Sequence, residues 1–167
     1  MTVAQTGSLV RDKLVGLLTG ASGLGLQVGQ ISQASGISLS AIPPEQIVSQ
    51  NVATELADKA GKIAYPVLYV YTTRVENELR EKFRTFSGVV ELVMELRVTN
   101  EHLDDLDRDL QLYLDAVTSV LDNNRGDWSG GMFVSGQYEI AVSPAKPGGR
   151  NYVQTAKVKC EVNMSLK

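Results

Sequence analysis

A chain of 167 residues, 43% apolar and 21% charged, has the make-up of a globular domain that can bury a real core, not of a disordered or fibrous polymer. Its formal charge of −3 excludes a protein built to coat nucleic acid, which needs a basic excess on at least one face, and leaves room only for a local basic strip. No apolar run approaches the roughly 20 residues of a membrane span, the start lacks the basic and apolar regions of a secretory signal, and Cys160 alone can make neither an internal disulfide nor a metal site, so synthesis in a reducing cytoplasm is expected.

Residues 8–18 predict a short helix, with Ser8 as its cap and Leu9, Leu14, Leu17, Leu18 and the Lys13 stem on one side. Residues 20–40 are rich in Gly, Ser, Gln and Ala. Leu24, Leu26, Val28, Ile31, Ile37 and Leu39 are scattered through them without a helical or strand period, so a loose or partner-dependent segment is expected. Pro44 and Glu45 suit the first turn of a second helix, and Ile47, Val48, Val52, Leu56 and Ala60 carry its stripe up to Gly61.

From Tyr65 the apolar period becomes two. Strands are expected over 65–72, with Pro66 near the first residue, and over 90–98. In the second, Val90, Leu92, Met94, Leu96 and Val98 form one face, and Glu91, Glu95 and Arg97 the other, interrupted by Val93. Two more strands follow: one through Val134, Tyr138, Ile140 and Val142, and one from Ala156 to Leu166. Between these pairs lies one strong helix, 101–123, with Asn100 as its cap, acids in its first turn, and a stripe of Leu103, Leu106, Leu110, Tyr113, Leu114, Val117 and Leu121. The order α, loose segment, α, β, β, α, β, β predicts an α+β fold: a mostly antiparallel four-stranded sheet with a long helix on one face. Residues 1–61 form a helical and Gly/Ser-rich extension to the 62–167 domain. The charged connection 73–86 is too long for a hairpin turn and reads as strand extended beyond the domain or as a projecting arm. Residues 144–150 read as a turn-rich tip.

Four glycines between Thr19 and Gln30 suggest a phosphate cradle, and a small-ligand enzyme using Gly20 to Gly29 is the alternative they raise. The context is wrong: a helix precedes them instead of a strand, Gly29 falls one residue late for the dinucleotide spacing, and no Lys or Arg occurs between Lys13 and Lys59. His102, the only histidine, has no Cys or His partner in sequence and no G-x-S-x-G elbow to serve. Asp104, Asp105, Asp107 and Asp109 lack the glycine and closing Glu of a calcium loop, and residues two apart on a helix point about 200° from each other. No catalytic residue, cofactor or metal ligand is expected, and the chain reads as a non-enzyme.

Trp128, among glycines, is either an exposed partner anchor or packed over the sheet edge, and with the charged arm it raises a second alternative, a monomeric binding adaptor. Arg80, Lys82 and Arg84 are interleaved with Glu76, Glu78 and Glu81, a pattern that favours ion pairs between subunits over nucleic-acid contacts.

The run YPVLYVYTTR, a charged connection, SGVVELVMELRVTNEHLDDLDRDLQLYLDAV, a Gly-rich turn and the closing NYVQTAKVKCEVNMS resemble the tail terminator, or tail-completion, proteins of long-tailed bacteriophages. The matching helix residues are Leu103, Asp104, Asp105 and Leu106, and the resemblance covers about residues 65–167. It implies a structural virion protein: a homo-oligomeric, hexameric ring at the neck that caps the tail tube, ends its polymerisation and meets the head connector or stopper. DNA passes through such a ring without sequence-specific binding. Another neck, connector or tail-tube-like component shares the pattern. Under this resemblance Arg74, Glu76, Arg80, Lys82, Arg84, Trp128, Lys146 and Arg150 are candidate interface residues. Asp104, Asp105, Asp107 and Asp109 become a candidate acidic lumen face, and Leu24, Leu26 and Val28 a candidate assembly strap.

Overall fold

The computed structural model describes residues 3–53, 56 and 63–167. Among them, three α-helices and eight strands form one layered α+β unit: α1 (Val3–Thr19), α2 (Leu24–Ser35), a 3₁₀ turn (Pro44–Gln46), β1 (Ile47–Val48), β2 (Val67–Asn77), β3 (Phe86–Asn100), α3 (Leu103–Asn123), β4 (Gly126–Ser129), β5 (Met132–Val134), β6 (Tyr138–Val142), β7 (Lys146–Gly148) and β8 (Asn151–Leu166). The class is as expected, but the sheet is mixed and eight-stranded instead of four-stranded. Its path runs β1-β2-β3-β8-β5-β4, with β6 and β7 also paired to β8.

The long strands β3 and β8 are in register from Phe86↔Leu166 to Asn100↔Tyr152 and form the spine. β2 lies antiparallel to β3, and the two-residue β1 runs parallel to β2 at Leu68 and Tyr69. Opposite β3, the flank of β8 is shared in turn by β5, β6 and β7. The single strand expected over 134–142 is therefore two, parted around Gly136, whose φ of +94° suits a residue without Cβ. The 144–150 tip is a hairpin in which β7 pairs back onto β8.

One face of the sheet carries Leu68, Val70, Val90, Leu92, Met94, Leu96, Ala156, Val158, Cys160 and Val162 against the three helices, making the main core. The stripe of α3 supplies Leu106, Leu110, Tyr113, Leu114, Val117 and Leu121 to it, as its spacing predicts. Asn100, expected as the cap of that helix, belongs to β3; its Oδ1 accepts from the His102 N–H at 3.0 Å and its Nδ2 donates to Asp109 at 3.1 Å.

Three sequence expectations change. The helix predicted over 8–18 begins at Val3, so Ser8 lies inside it and caps nothing. The supposedly loose residues 20–40 hold α2, whose core side is Leu24, Gln27 and Val28 with Ile31 packed against the core. Gly25 and Gly29 on its open side hide this period. Gly23 closes the α1–α2 turn by donating to the Gly20 carbonyl at 2.9 Å, and a Cβ there would overlap the carbonyls of Leu17 and Leu18. The helix expected to open at Pro44 is a single 3₁₀ turn leading into β1; of its predicted length, residues 54, 55 and 57–61, including Ala60, lie outside the described residues.

A further finding concerns the second face of β3. Glu95 and Arg97 lie opposite the main-core face, as alternation predicts, yet Glu95 is 6% and Arg97 1% exposed. A second apolar cluster of Val67, Tyr69, Tyr71 and Val93 surrounds them, covered by Val48, Val52, Ile63 and Tyr65. Val52, Ile63 and Tyr65, between β1 and β2, thus give this face a lining of its own.

Candidate functional site

The predicted interface residues fall at opposite ends of the sheet. The charged connection resolves into strand and arm: β2 continues to Asn77, and residues 78–85 form a loop tied down by Asn77. The Asn77 Oδ1 accepts from the Leu79 and Ser87 N–H groups, and its Nδ2 donates to the Thr85 carbonyl. Thr85 also reaches Leu166, and Ser165 donates to Glu81, so the loop is fixed to the end of β8. Lys146 and Arg150 sit exposed on the β7–β8 hairpin, at the other end of β8.

The charges of the arm, whose pattern suggests ion pairs between subunits, find partners largely within the chain. Arg74 reaches Glu76, Glu161 at 2.8 Å and Glu91 at 3.7 Å; Arg80 pairs with Glu78, and Arg84 with Glu81 at 3.1 Å. Such exposed pairs contribute little stability each. At the tip, Phe83 is 99% exposed and Leu79 63%. Both adopt left-handed backbone, with φ of +62° and +49°. Bulky residues rarely sit there, so the tip holds its two apolar side chains outward at a local conformational cost. Sequence reasoning weighed only the charges and passed over both residues.

Trp128, named as a candidate interface residue, is buried instead. It is 4% exposed in the main core, and its indole N–H donates to the Asn124 carbonyl at 2.6 Å. The indole finds its polar partner in the turn that ends α3, so both parts of the side chain are satisfied within the chain.

On α3, Asp104 and Asp107 are exposed, whereas Asp105 and Asp109 both pair with Arg108 at 3.0 Å. Asp109 also takes the Asn100 amide, so the four carboxylates do not converge. His102 is the residue before the helix. Among the described residues no group of His, Cys, Asp or Glu is placed to hold a metal ion. Of the strap residues, Leu24 is fully buried and Val28 is 3% exposed in the chain's own core, and only Leu26, 44% exposed, faces outward.

A polar cleft of about 440 Å³ lies beside β6 and β8 and is lined by Glu91, Glu139, Lys159, Glu161 and neighbouring polar groups. Cys160 borders it but is itself 3% exposed. Burial, with a smaller contribution from the Glu161 charge, pushes its thiol pKa up to about 12. Since the thiolate is the reactive form, Cys160 is expected to resist alkylation in the native protein at pH 8 and to react fully once denatured. Thiol titration with and without denaturant checks this; rapid native labelling would contradict the burial.

The broadest unsatisfied feature is backbone. Among the described residues β6 pairs with β8 on one side only, and all five of its residues are exposed. Across the sheet, β1 covers only Leu68 and Tyr69 of β2, leaving Val70 to Asn77 without a strand partner among the described residues. One sheet therefore presents two unlike open margins. Among the described residues no helix is long and apolar enough to cross a membrane on its own.

No protein-family model matches the chain, and no curated protein sequence is significantly similar to it.

Proposed function

We propose that this chain is a structural ring protein of a phage neck, of the tail-terminator kind its sequence resembles. It caps the tail tube, meets the head connector and lets DNA pass. The observation that carries this reading is the pair of unlike open margins on one sheet. Open strand edges template pairing with another chain, and monomeric proteins usually cover or shorten them. Two different complementary patches on one subunit make a head-to-tail contact, which closes into a ring when the rotation per step allows.

Two further features fit. The arm and the β7–β8 hairpin project from opposite ends of the strands, so in a ring joined along its sheet margins they address its two faces. The exposed acids of α3 give a surface that DNA does not stick to, through like-charge repulsion. The test is placement on the particle. Gold-labelled antibody against the chain should mark the head–tail junction of purified virions, and electron microscopy of the isolated protein should show closed rings of one size. Label distributed along the tail, or none on virions, would overturn the reading.

A further inference from the structure

We infer that β6 of one copy pairs with the open margin of β2 in the next copy, and that α1 of this second copy roofs the bare apolar ledge on β6. The inference rests on the ring reading and specifies how adjacent subunits join.

The first observation is the ledge. Tyr138, Ile140 and Val142 stand opposite Cys160, Val158 and Ala156 of β8, and partners directly opposite share a face. They therefore continue the main core layer outward. Their β8 partners are 3%, 0% and 0% exposed, whereas Tyr138, Ile140 and Val142 are 38%, 40% and 45% exposed. The helical layer stops short of β6, leaving an apolar strip that ends in an unpaired strand edge.

The second observation is the backbone of that edge. Ser143 donates its N–H to the Thr155 carbonyl of β8 at 2.9 Å. Backbone groups alternate in direction along a strand, so Tyr138, Ile140 and Val142 aim theirs away from β8. The strand has one charge, Glu139, and no proline or bulge. It lacks the devices by which exposed edges avoid pairing.

The third observation is the opposite margin, which is built the other way round. β2 extends open from Val70 to Asn77, and here the helical layer does cover the main-core face. α1 lies against β2 where the Thr72 hydroxyl donates to the Gly7 carbonyl at 3.1 Å. A Cβ on Gly7 would meet the Thr72 and Val75 side chains at 3.2 Å, so the glycine permits this close approach. One margin thus has sheet without roof, and the other sheet with roof. Rotation about a ring axis roughly parallel to the strands keeps each face of the sheet on the same side in every copy. The ledge of one subunit then arrives beneath α1 of its neighbour. Within the sheet β2 runs parallel to β8 and β6 antiparallel to it, so the new pair is antiparallel. On the other face, Glu139 comes to the side that carries Arg74, whose partners within its own chain are Glu76, Glu91 and Glu161.

The five residues of β6 span about 17 Å of strand, which fits within the open stretch of β2. The charges and the bulge between Thr72 and Arg74 restrict that stretch to a partner of matching register. Pairing of this kind takes its affinity from main-chain hydrogen bonds and its specificity from alternate side chains.

Native mass measurement of the full chain tests this with two substitutions. Ile140→Pro removes an outward N–H without touching the ladder to β8; Ile140→Asp keeps the backbone and charges the ledge. The expected result is a single oligomer for the natural sequence and loss of that oligomer to the 18.1 kDa monomer for both variants, with unchanged circular dichroism. A natural ring that survives both substitutions overturns this interface while leaving the ring reading standing. A natural monomer at high concentration overturns both. If either variant misfolds, the chain carrying Arg74→Cys and Glu139→Cys decides: mild oxidation should link successive copies into a ladder of covalent oligomers, and monomer alone overturns the pairing.

Discussion

Replacing Arg97 with alanine is expected to destabilise the fold by about 3–5 kcal/mol, the usual cost of removing one partner from a buried ion pair. The size follows from what the side chain holds. Its Nε donates to Glu95 at 2.8 Å, and its Nη2 donates to the same carboxylate and to the Val52 carbonyl at 2.7 Å. The guanidinium lies 4.4 Å from the centre of the Tyr69 ring. Glu95 also accepts from the Tyr71 hydroxyl at 3.0 Å and stands 3.5 Å from the Lys157 ammonium. Burial, and then the Glu95 charge and hydrogen bond, raise the Tyr71 pKa, so the phenol stays a donor at neutral pH.

Without Arg97, Glu95 keeps a buried charge with only Tyr71 and the half-exposed Lys157 to meet it. The Val52 carbonyl also loses its donor, so the cover over this face should open more often. Denaturant unfolding gives the stability change, and hydrogen exchange over 47–53 reports the cover. A loss under 1 kcal/mol would show that Lys157 and solvent satisfy Glu95. The comparison variant replaces both charges, Glu95→Leu with Arg97→Met. It should recover much of the loss, because exchanging a whole buried pair for apolar side chains is often neutral or favourable. The Arg97 Nη1 makes no hydrogen bond among the described residues, which adds to the gain expected from that double replacement.

Arg97 also shows where reading the sequence stops. Alternation in β3 correctly separates the two faces, because side chains on a strand alternate whatever covers them. It does not say whether the second face meets water. That depends on Val52, Ile63 and Tyr65 packing over Tyr69 and Tyr71, long-range contacts with no local period. The helix α3 was legible because its stripe is strong and its interruptions few. By contrast, α2 was hidden: its glycines carry weak helix propensity, and tertiary burial of Leu24 and Val28 overrides that preference. The arm was visible as charge, but the outward Phe83 and Leu79 depend on backbone conformation. The open margins were not legible at all, because they are properties of strand order. Tyr138, Ile140 and Val142 read in sequence like any half-buried strand.

The glycine-rich segment supplies a second large expected effect, one that separates folding from assembly. Leu24→Ser should cost at least the 2–5 kcal/mol of a large-to-small core replacement, with a further penalty because the hydroxyl enters an apolar site. Leu24 is fully buried where α2 meets the core, and the glycine turn before it fixes the helix in place. Val28→Ser acts in the same direction through a smaller side chain. Leu26→Ser, at a position 44% exposed, should change stability by no more than about 0.5 kcal/mol, as surface substitutions usually do. Thermal or denaturant unfolding of the three single variants measures this order. If Leu26 still serves as a strap toward a partner, only its variant should weaken assembly while leaving the monomer as stable as before. Equal destabilisation by Leu24→Ser and Leu26→Ser would contradict the packing of α2. Loss of assembly in the Leu24 and Val28 variants alone would follow from their lost fold. The serine substitutions therefore have to be made singly, because a triple variant confounds a core defect with an interface defect.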